Sequence, residues 1–189
     1  MQYKIIELTQ GTSQWLEWRK SHITASDIPC LFDESPYKTA KELFEEKIGI
    51  GQEKPKSQWL MDKGHRAESI CREWLSKEYK NEFKPVVVES LECPDLGASL
   101  DGLSNDLGLI AEFKYIGKKA VDDVKNTVLK KSHSIQVQAQ LAATGIKKCV
   151  YFATDLTNSA YLEIERDELL IKEIFEKSKA FMAEVREFS

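Results

Sequence analysis

Cysteine clusters, spaced histidines and long apolar runs are all missing from this chain of 189 residues. Its four cysteines, Cys30, Cys71, Cys93 and Cys149, lie far apart and form no CxxC. That argues against a zinc or iron–sulfur centre, and free thiols suit the cytoplasm. His22, His65 and His133 have no metal-ligand spacing and read as structural or exposed. No apolar stretch approaches a membrane span and the N-terminus lacks a signal-peptide pattern, so no membrane partner is expected. The net charge of -4 announces no nucleic-acid partner, so any basic track must be local. There is no internal repeat and no linker dividing the chain. With 42% hydrophobic and 31% charged residues, one domain over 1–189 with a real core is expected.

What is present begins with a few charged positions. Asp101 ends the apolar run Gly97-Ala98-Ser99-Leu100, and Glu112 and Lys114 sit in a second run from Leu109 to Ile116. Between them, Ser104-Asn105-Asp106-Leu107-Gly108 has a turn composition, so 97–116 reads as a β-hairpin. Strand side chains alternate between faces. Glu112 and Lys114 therefore share one face, and Ala111, Phe113 and Tyr115 take the other. If Leu103 pairs with Ile110, Asp101 falls opposite Glu112. Two carboxylates ~5 Å apart repel by about 3 kcal/mol at an effective dielectric of ~20. A divalent cation between them reverses that sign, and oxygen-only ligands favour Mg²⁺, Mn²⁺ or Ca²⁺ over zinc. Lys114 on the same face can polarise a metal-bound water. A surface hairpin with solvated charges is the alternative reading of these residues alone.

Capping residues Thr12 and Ser13 precede a short helix around Trp15–Arg19, and Ile23–Ile28 offers caps for another. Thr39-Ala40-Lys41-Glu42 is a capping-box pattern ahead of Leu43, Phe44 and Ile48, with Gly49 as the stop. A long helix is expected over 57–79, with Leu60, Gly64, Ala67, Cys71, Trp74 and Glu78 on one stripe and Met61 and Leu75 beside it. Strands are expected at 85–88, in the hairpin, at 148–154 and at 160–164. The lysine-rich stretch 117–133 reads as mobile with room for a short helix, 134–144 as a helix ending at Gly145, and 167–188 as a terminal helix. The fold class is α/β, or α+β by strict naming. A central mixed sheet is flanked by helices, with the site at one edge.

Several polar residues fall in apolar places. Glu68 shares its heptad position with Met61 and Leu75, so it points near the inward face, where a carboxylate needs a cation or a metal. An i,i+4 ion pair with Arg72 is the alternative. Gln138 lies on the stripe of Ile135, Leu141 and Ala142, facing either the Asp101–Glu112 site or a satisfied core position, with Gln136 and Gln140 turned to solvent. Arg19 and Ser26 flank a helix start and could hold a phosphate, or Arg19 could sit in a surface ion pair. Lys114, Lys118, Lys119, Lys125, Lys130 and Lys131 crowd a segment whose acids are Asp122 and Asp123. This is the local basic track, suited to a DNA backbone or simply solvated.

Taken together, the chain resembles the lambda-type exonucleases, or YqaJ-type viral recombinases, a branch of the PD-(D/E)xK nucleases. The blocks that carry the resemblance run from about Gln10 to Asp155. They are Gly11-Thr12…Trp15…Trp18-Arg19, Ile23-Thr24-Ala25-Ser26, Gly64-His65-Arg66-Ala67-Glu68, Leu100-Asp101-Gly102, Glu112-Phe113-Lys114 and Gln136-Val137-Gln138. Leu100 stands where the superfamily motif has proline. The resemblance implies that Asp101, Glu112, the Phe113 carbonyl and Glu68 bind metal, two Mg²⁺ ions with Mn²⁺ as substitute. It implies that Lys114 activates water with Gln138 beside it, and that Arg19 and Ser26 hold a terminal 5′-phosphate. It further implies 5′→3′ digestion of double-stranded DNA ends, often by a trimeric ring, and a single-strand annealing protein as recombination partner. A phage or prophage source acting in the cytoplasm of a bacterial host would follow. Two other readings are a non-catalytic DNA-end-binding scaffold and an endonuclease of the same superfamily.

Overall fold

The computed structural model describes residues 2–51 and 58–188. The turn at Asn105–Gly108 closes the expected hairpin. Strands β4 (Leu96–Ser104) and β5 (Leu109–Tyr115) pair antiparallel, with Leu103 opposite Ile110 and Gly102 opposite Ala111. Gly108 takes φ 58°, a conformation that favours glycine. On the other edge of β4 lies β3 (Lys84–Ser90), and β1 (Tyr3–Ile6) pairs with β3, both antiparallel. Strand β6 (Lys148–Thr154) runs parallel to β5, and β7 (Ser159–Glu165) returns antiparallel to it. A two-residue strand, β2 (Ile23–Thr24), adds parallel to the start of β4. Among the described residues these form one seven-stranded mixed sheet, ordered β1-β3-β4-β5-β6-β7 with β2 on β4. The α/β (α+β) class expected from the sequence is the class observed.

Two irregularities of β4 position the site. The first is a gap. With β3 on one edge, β2 and β5 must share the other, β2 at Leu96–Gly97 and β5 at Gly102–Ser104. The stretch 98–101 between them pairs with neither, and side chains meet its polar groups instead. Gln10 Nε2 donates to the Leu100 carbonyl at 3.0 Å and Arg72 Nη2 to the Asp101 carbonyl at 3.2 Å. The second is a β-bulge. Lys84 pairs with Leu103 and Val86 with Leu100, so two steps of β3 match three of β4. Leu100 and Leu103 consequently enter the same apolar core, and the residues between them, Asp101 and Gly102, carry the kink.

Helices cover both faces. On one, α3 (Gln58–Tyr79) packs Cys71 and Leu75 against Phe83, Leu109, Ala111, Phe113, Val150 and Phe152. Ser57 and the side chains of Leu60 and Met61, expected to belong to that helix, lie outside the described residues. On the other face lie α5 (Lys131–Thr144), ending at Gly145 with φ 69°, and α6 (Glu168–Phe188). Ahead of the sheet's centre, α1 (Ser13–Ser21) is capped by Thr12, whose hydroxyl accepts the Trp15 amide at 3.3 Å. The capping box of Thr39 and Glu42 starts α2 (Ala40–Lys47) as expected.

Three local features refine the expectations. The stretch 117–133 contains the short helix expected there. It holds α4 (Lys118–Lys125), whose Val121 and Val124 are buried, and the first turn of α5. That apolar pair, three residues apart, outweighs the lysines around it. The short helix expected to be capped within 23–28 is a 3₁₀ turn over Ile28–Phe32 with Asp27 at its N-cap. Ahead of it lies strand β2, because the amides of Ile23 and Ala25 bond the carbonyls of Asp95 and Gly97, each at 2.9 Å. Strand β1 was not expected at all. Gly97 allows this corner to close: a Cβ there would lie 2.5 Å from the Trp18 ring, which is buried against it.

Candidate active site

The alternation of β5 sends Ile110, Glu112 and Lys114 to the face covered by α5, and Ala111 and Phe113 to the face covered by α3. Glu112 is almost wholly buried, at 2% exposure. Its Oε1 pairs with the Lys114 ammonium and accepts Gln136 Nε2 at 2.8 Å, and its Oε2 accepts Gln140 Nε2. Extending the hairpin register one step beyond Gly102–Ala111 brings Asp101 opposite Glu112. The Asp101 carboxylate turns into the gap and accepts the Phe113 amide at 2.7 Å, taking the place of the strand ladder that has ended there.

These groups feel one another strongly. Burial, then the Glu112 charge, pushes the Asp101 carboxyl well above the usual carboxylate range, although Lys114 and the Phe113 N–H act in the other direction. Burial works against the Lys114 ammonium, yet Glu112 and then Asp101 raise it above its ordinary value. Glu68 on α3 adds its negative charge to Asp101 as well. Arg72, expected as an ion-pair alternative for Glu68, instead bonds the Asp101 carbonyl, and its guanidinium lies 5.9 Å from the Phe113 ring centre. Its Nε is buried without a hydrogen-bond partner.

Of its two readings, Gln138 takes the satisfied core position. Gln138 does not face the site. Its Nε2 donates to the Glu165 carbonyl at 2.8 Å and its Oε1 accepts the Asp167 amide at 2.9 Å, tying α5 to the turn between β7 and α6. Gln136 and Gln140, expected in solvent, are the ones that hold Glu112. Positions four apart share a helix face, whereas Gln138 sits two residues, about 200°, from each. The apolar stripe misled because α5 is buried on every side from Val137 to Thr144.

The donor chemistry fits a hard divalent cation. The nearest acids offer only oxygen, and the mutual repulsion of Asp101 and Glu112 is what a cation would relieve. Among the described residues no three His, Cys, Asp or Glu side chains converge as a closed metal cage. Mg²⁺ needs none, since it binds through one or two carboxylates and completes its shell with water and phosphate oxygens.

A second polar cluster lies on the same edge of β4. Arg19 Nη2 donates to Ser26 Oγ at 3.2 Å and to Asp27 Oδ1 at 3.3 Å, so the structure brings the two expected phosphate ligands together. The guanidinium lies 4.9 Å from the centre of the Trp15 ring, and Trp15 Nε1 donates to Ser99 Oγ at 2.8 Å. Ser99 is two residues from Asp101, about 7 Å along a strand. The buried acid Asp27 pairs with Lys47 at 3.3 Å, and no sequence pattern links the two. The lysine track is partly neutralised. Lys119 pairs with Asp123 and Lys125 with Asp122, each at 3.0 Å, and Lys131 pairs with Glu34 at 2.7 Å, while Lys118 and Lys130 are exposed at the starts of α4 and α5. His133 was missed as a neighbour of the site. Its Nδ1 lies 2.7 Å from the hydroxyl of the fully buried Tyr151. Burial, then Lys114 and Lys130, holds its pKa at about 4, so it is neutral at physiological pH.

Known proteins share this fold. LHK-Exo, an alkaline exonuclease from Laribacter hongkongensis, superposes with a TM-score of 0.75 at 25% identity, covering 93% of each chain. Its complex with dAMP gives 0.76 at 26%. A phage-related exonuclease from Haemophilus somnus shares the fold, with a TM-score of 0.65 over 89% of this chain and 96% of that one, at 16% identity. An uncharacterised protein of Acanthamoeba polyphaga mimivirus is 25% identical over 77% of this chain, which spans only 29% of that protein's length. Residues 14–147 match the YqaJ-like viral recombinase domain, and the chain belongs to that family.

Proposed function

We propose that this protein is a Mg²⁺-dependent 5′→3′ exonuclease that degrades one strand of linear double-stranded DNA for recombination by single-strand annealing. The observation that carries the reading is the buried Glu112 beside the half-buried Asp101 at the split between β4 and β5, with Lys114 bound to Glu112. The likeness to LHK-Exo supports it, as does that enzyme's complex with dAMP, a mononucleotide of the kind that end-wise DNA hydrolysis releases.

Asp101, Glu112, the Phe113 carbonyl and Glu68 would hold the metal. Mg²⁺, two ions with Mn²⁺ as substitute, would supply Lewis acidity and charge neutralisation at the phosphodiester. The protein does the rest. Lys114 holds positive charge where the transition state gains negative charge. Gln136 and Gln140 fix the Glu112 carboxylate in one orientation. Arg19 and Ser26 hold the terminal 5′-phosphate by charge-assisted hydrogen bonds, on the strand edge that carries Asp101. The exposed Lys118 and Lys130 meet the DNA backbone. A trimeric ring, an annealing partner and a cytoplasmic site of action in a bacterial host complete the proposal.

Lys114→Ala tests the chemical part. It should abolish turnover of linear duplex DNA while leaving end binding, followed by fluorescence anisotropy, close to wild type. Undiminished cleavage by that variant refutes the role of Lys114. End binding by the wild-type protein without any cleavage would turn the reading to a scaffold.

A further inference from the structure

Behind Arg19 the fold buries an ion pair that takes no part in the chemistry proposed above. Lys47, the last residue of α2, has 2% of its side chain exposed, and Asp27 has 4%. A buried ion pair is often no better for stability than an apolar pair of the same size, so its contacts indicate its use. Lys47 Nζ donates to the Arg19 carbonyl at 2.6 Å, to the His22 carbonyl at 2.7 Å and to Asp27 Oδ2 at 3.3 Å. The first two are carbonyls at the end of α1, where no further helical turn can bond them. Asp27 Oδ2 also accepts the Thr24 amide at 3.1 Å and the Thr24 hydroxyl at 2.7 Å, and Oδ1 accepts Arg19 at 3.3 Å. Lys47 thus grips Arg19 twice, at its backbone carbonyl directly and at its guanidinium through Asp27.

The charges give the same answer. Burial works against the Asp27 carboxylate, yet Lys47 and then Arg19 hold it well below its usual range, so it is ionised. Burial lowers the pKa of the Lys47 ammonium while Asp27 raises it; with Lys47 protonated, Arg19, Asp27 and Lys47 sum to one positive charge, presented beside the exposed Ser26 hydroxyl. Without Lys47, Asp27 would cancel Arg19 and the cluster would offer no net charge to an anion.

We propose that Lys47, acting through Asp27, is a positioning residue that sets this protein's preference for 5′-phosphorylated over 5′-hydroxyl DNA ends. It rests on the assignment of Arg19 and Ser26 to the terminal phosphate.

The test compares kcat and KM on linear duplexes ending in 5′-phosphate or 5′-hydroxyl, with thermal melts in parallel. Lys47→Gln keeps amide donors for the two carbonyls and removes the charge. It should lower the phosphate preference at least about tenfold, mainly through KM, the effect of losing one charge-assisted hydrogen bond. Asp27→Asn combined with Lys47→Gln restores the single positive charge and should recover most of the preference. A Lys47→Gln protein with wild-type preference overturns the proposal, as does a double variant no better than the single. If Lys47→Gln does not fold, the double variant decides. A preference near wild type supports the proposal, and one as low as that of Arg19→Ala overturns it. A wild-type protein indifferent to the phosphate, or unaffected by Arg19→Ala, removes the Arg19 and Ser26 assignment itself. Loss of preference in Arg19→Ala but in neither Lys47 variant removes only the part given to Lys47.

Discussion

Gln140 gives its side-chain amide to Glu112 where neither residue has meaningful access to solvent, at 0% and 2% exposure. Its own Oε1 is buried without a hydrogen-bond partner, so Glu112 is the reason this side chain is polar. Gln140→Leu should therefore keep the protein folded while lowering kcat by about ten- to a hundredfold, as loss of a carboxylate's outer support does. Steady-state kinetics at several Mg²⁺ concentrations would show this as a raised metal requirement. Wild-type kinetics would remove Gln140 from the site.

Gln138→Ala should do the opposite. It breaks two bonds that tie α5 to the turn between β7 and α6 and leaves Glu112 untouched. The expected loss is about 1–2 kcal/mol of stability, or a Tm lower by several degrees, with kcat little changed. A melt beside an activity assay separates the two glutamines.

Asp101→Asn should inactivate the enzyme and stabilise the metal-free protein. The Asp101 carboxyl is held well above its ordinary value, so the folded state binds its proton more tightly than the unfolded chain does. Its contribution to stability therefore falls as pH rises from the unfolded value near ~3.9 up through the folded one. Asparagine still accepts the Phe113 amide but carries no charge. In EDTA at neutral pH the gain should be on the order of 1 kcal/mol, a Tm about 2–4 °C higher. A Tm that falls instead contradicts the electrostatic account.

Metal binding should release protons, because a cation at Asp101 favours the ionised carboxylate. Calorimetric titration with Mg²⁺ in two buffers of different ionisation enthalpy reads this directly. The observed heats should differ between buffers, and Asp101→Asn should remove the difference.

Gly97→Ala should disturb the corner that presents Arg19. The added methyl would meet the Trp18 ring at 2.5 Å. Overpacking of this kind destabilises by about 1–3 kcal/mol. A lowered Tm with altered tryptophan emission would register it, whereas wild-type values for both would contradict the close packing.

The hairpin was readable because a turn composition and a two-residue alternation fix its register, and that register alone brings Asp101 opposite Glu112. The bulge at Asp101 and Gly102 was not, since it depends on how β3, a distant segment, aligns with β4. Helix α5 was found but its faces were not, because burial on all sides erases the contrast that identifies an inward stripe. Asp27 and Lys47 are twenty residues apart with no shared period, so only the folded chain brings them together. Arg19 and Ser26 could be anticipated from the polar residues around a helix start, but the acid that orients Arg19 could not.

The most direct test is digestion of linear duplex DNA carrying a 5′-phosphate on one strand only, in Mg²⁺ or in EDTA, with a closed circle as control. The account predicts Mg²⁺-dependent loss of the phosphorylated strand alone and an intact circle. Cutting of the circle, or equal loss of both strands irrespective of phosphate, would contradict it.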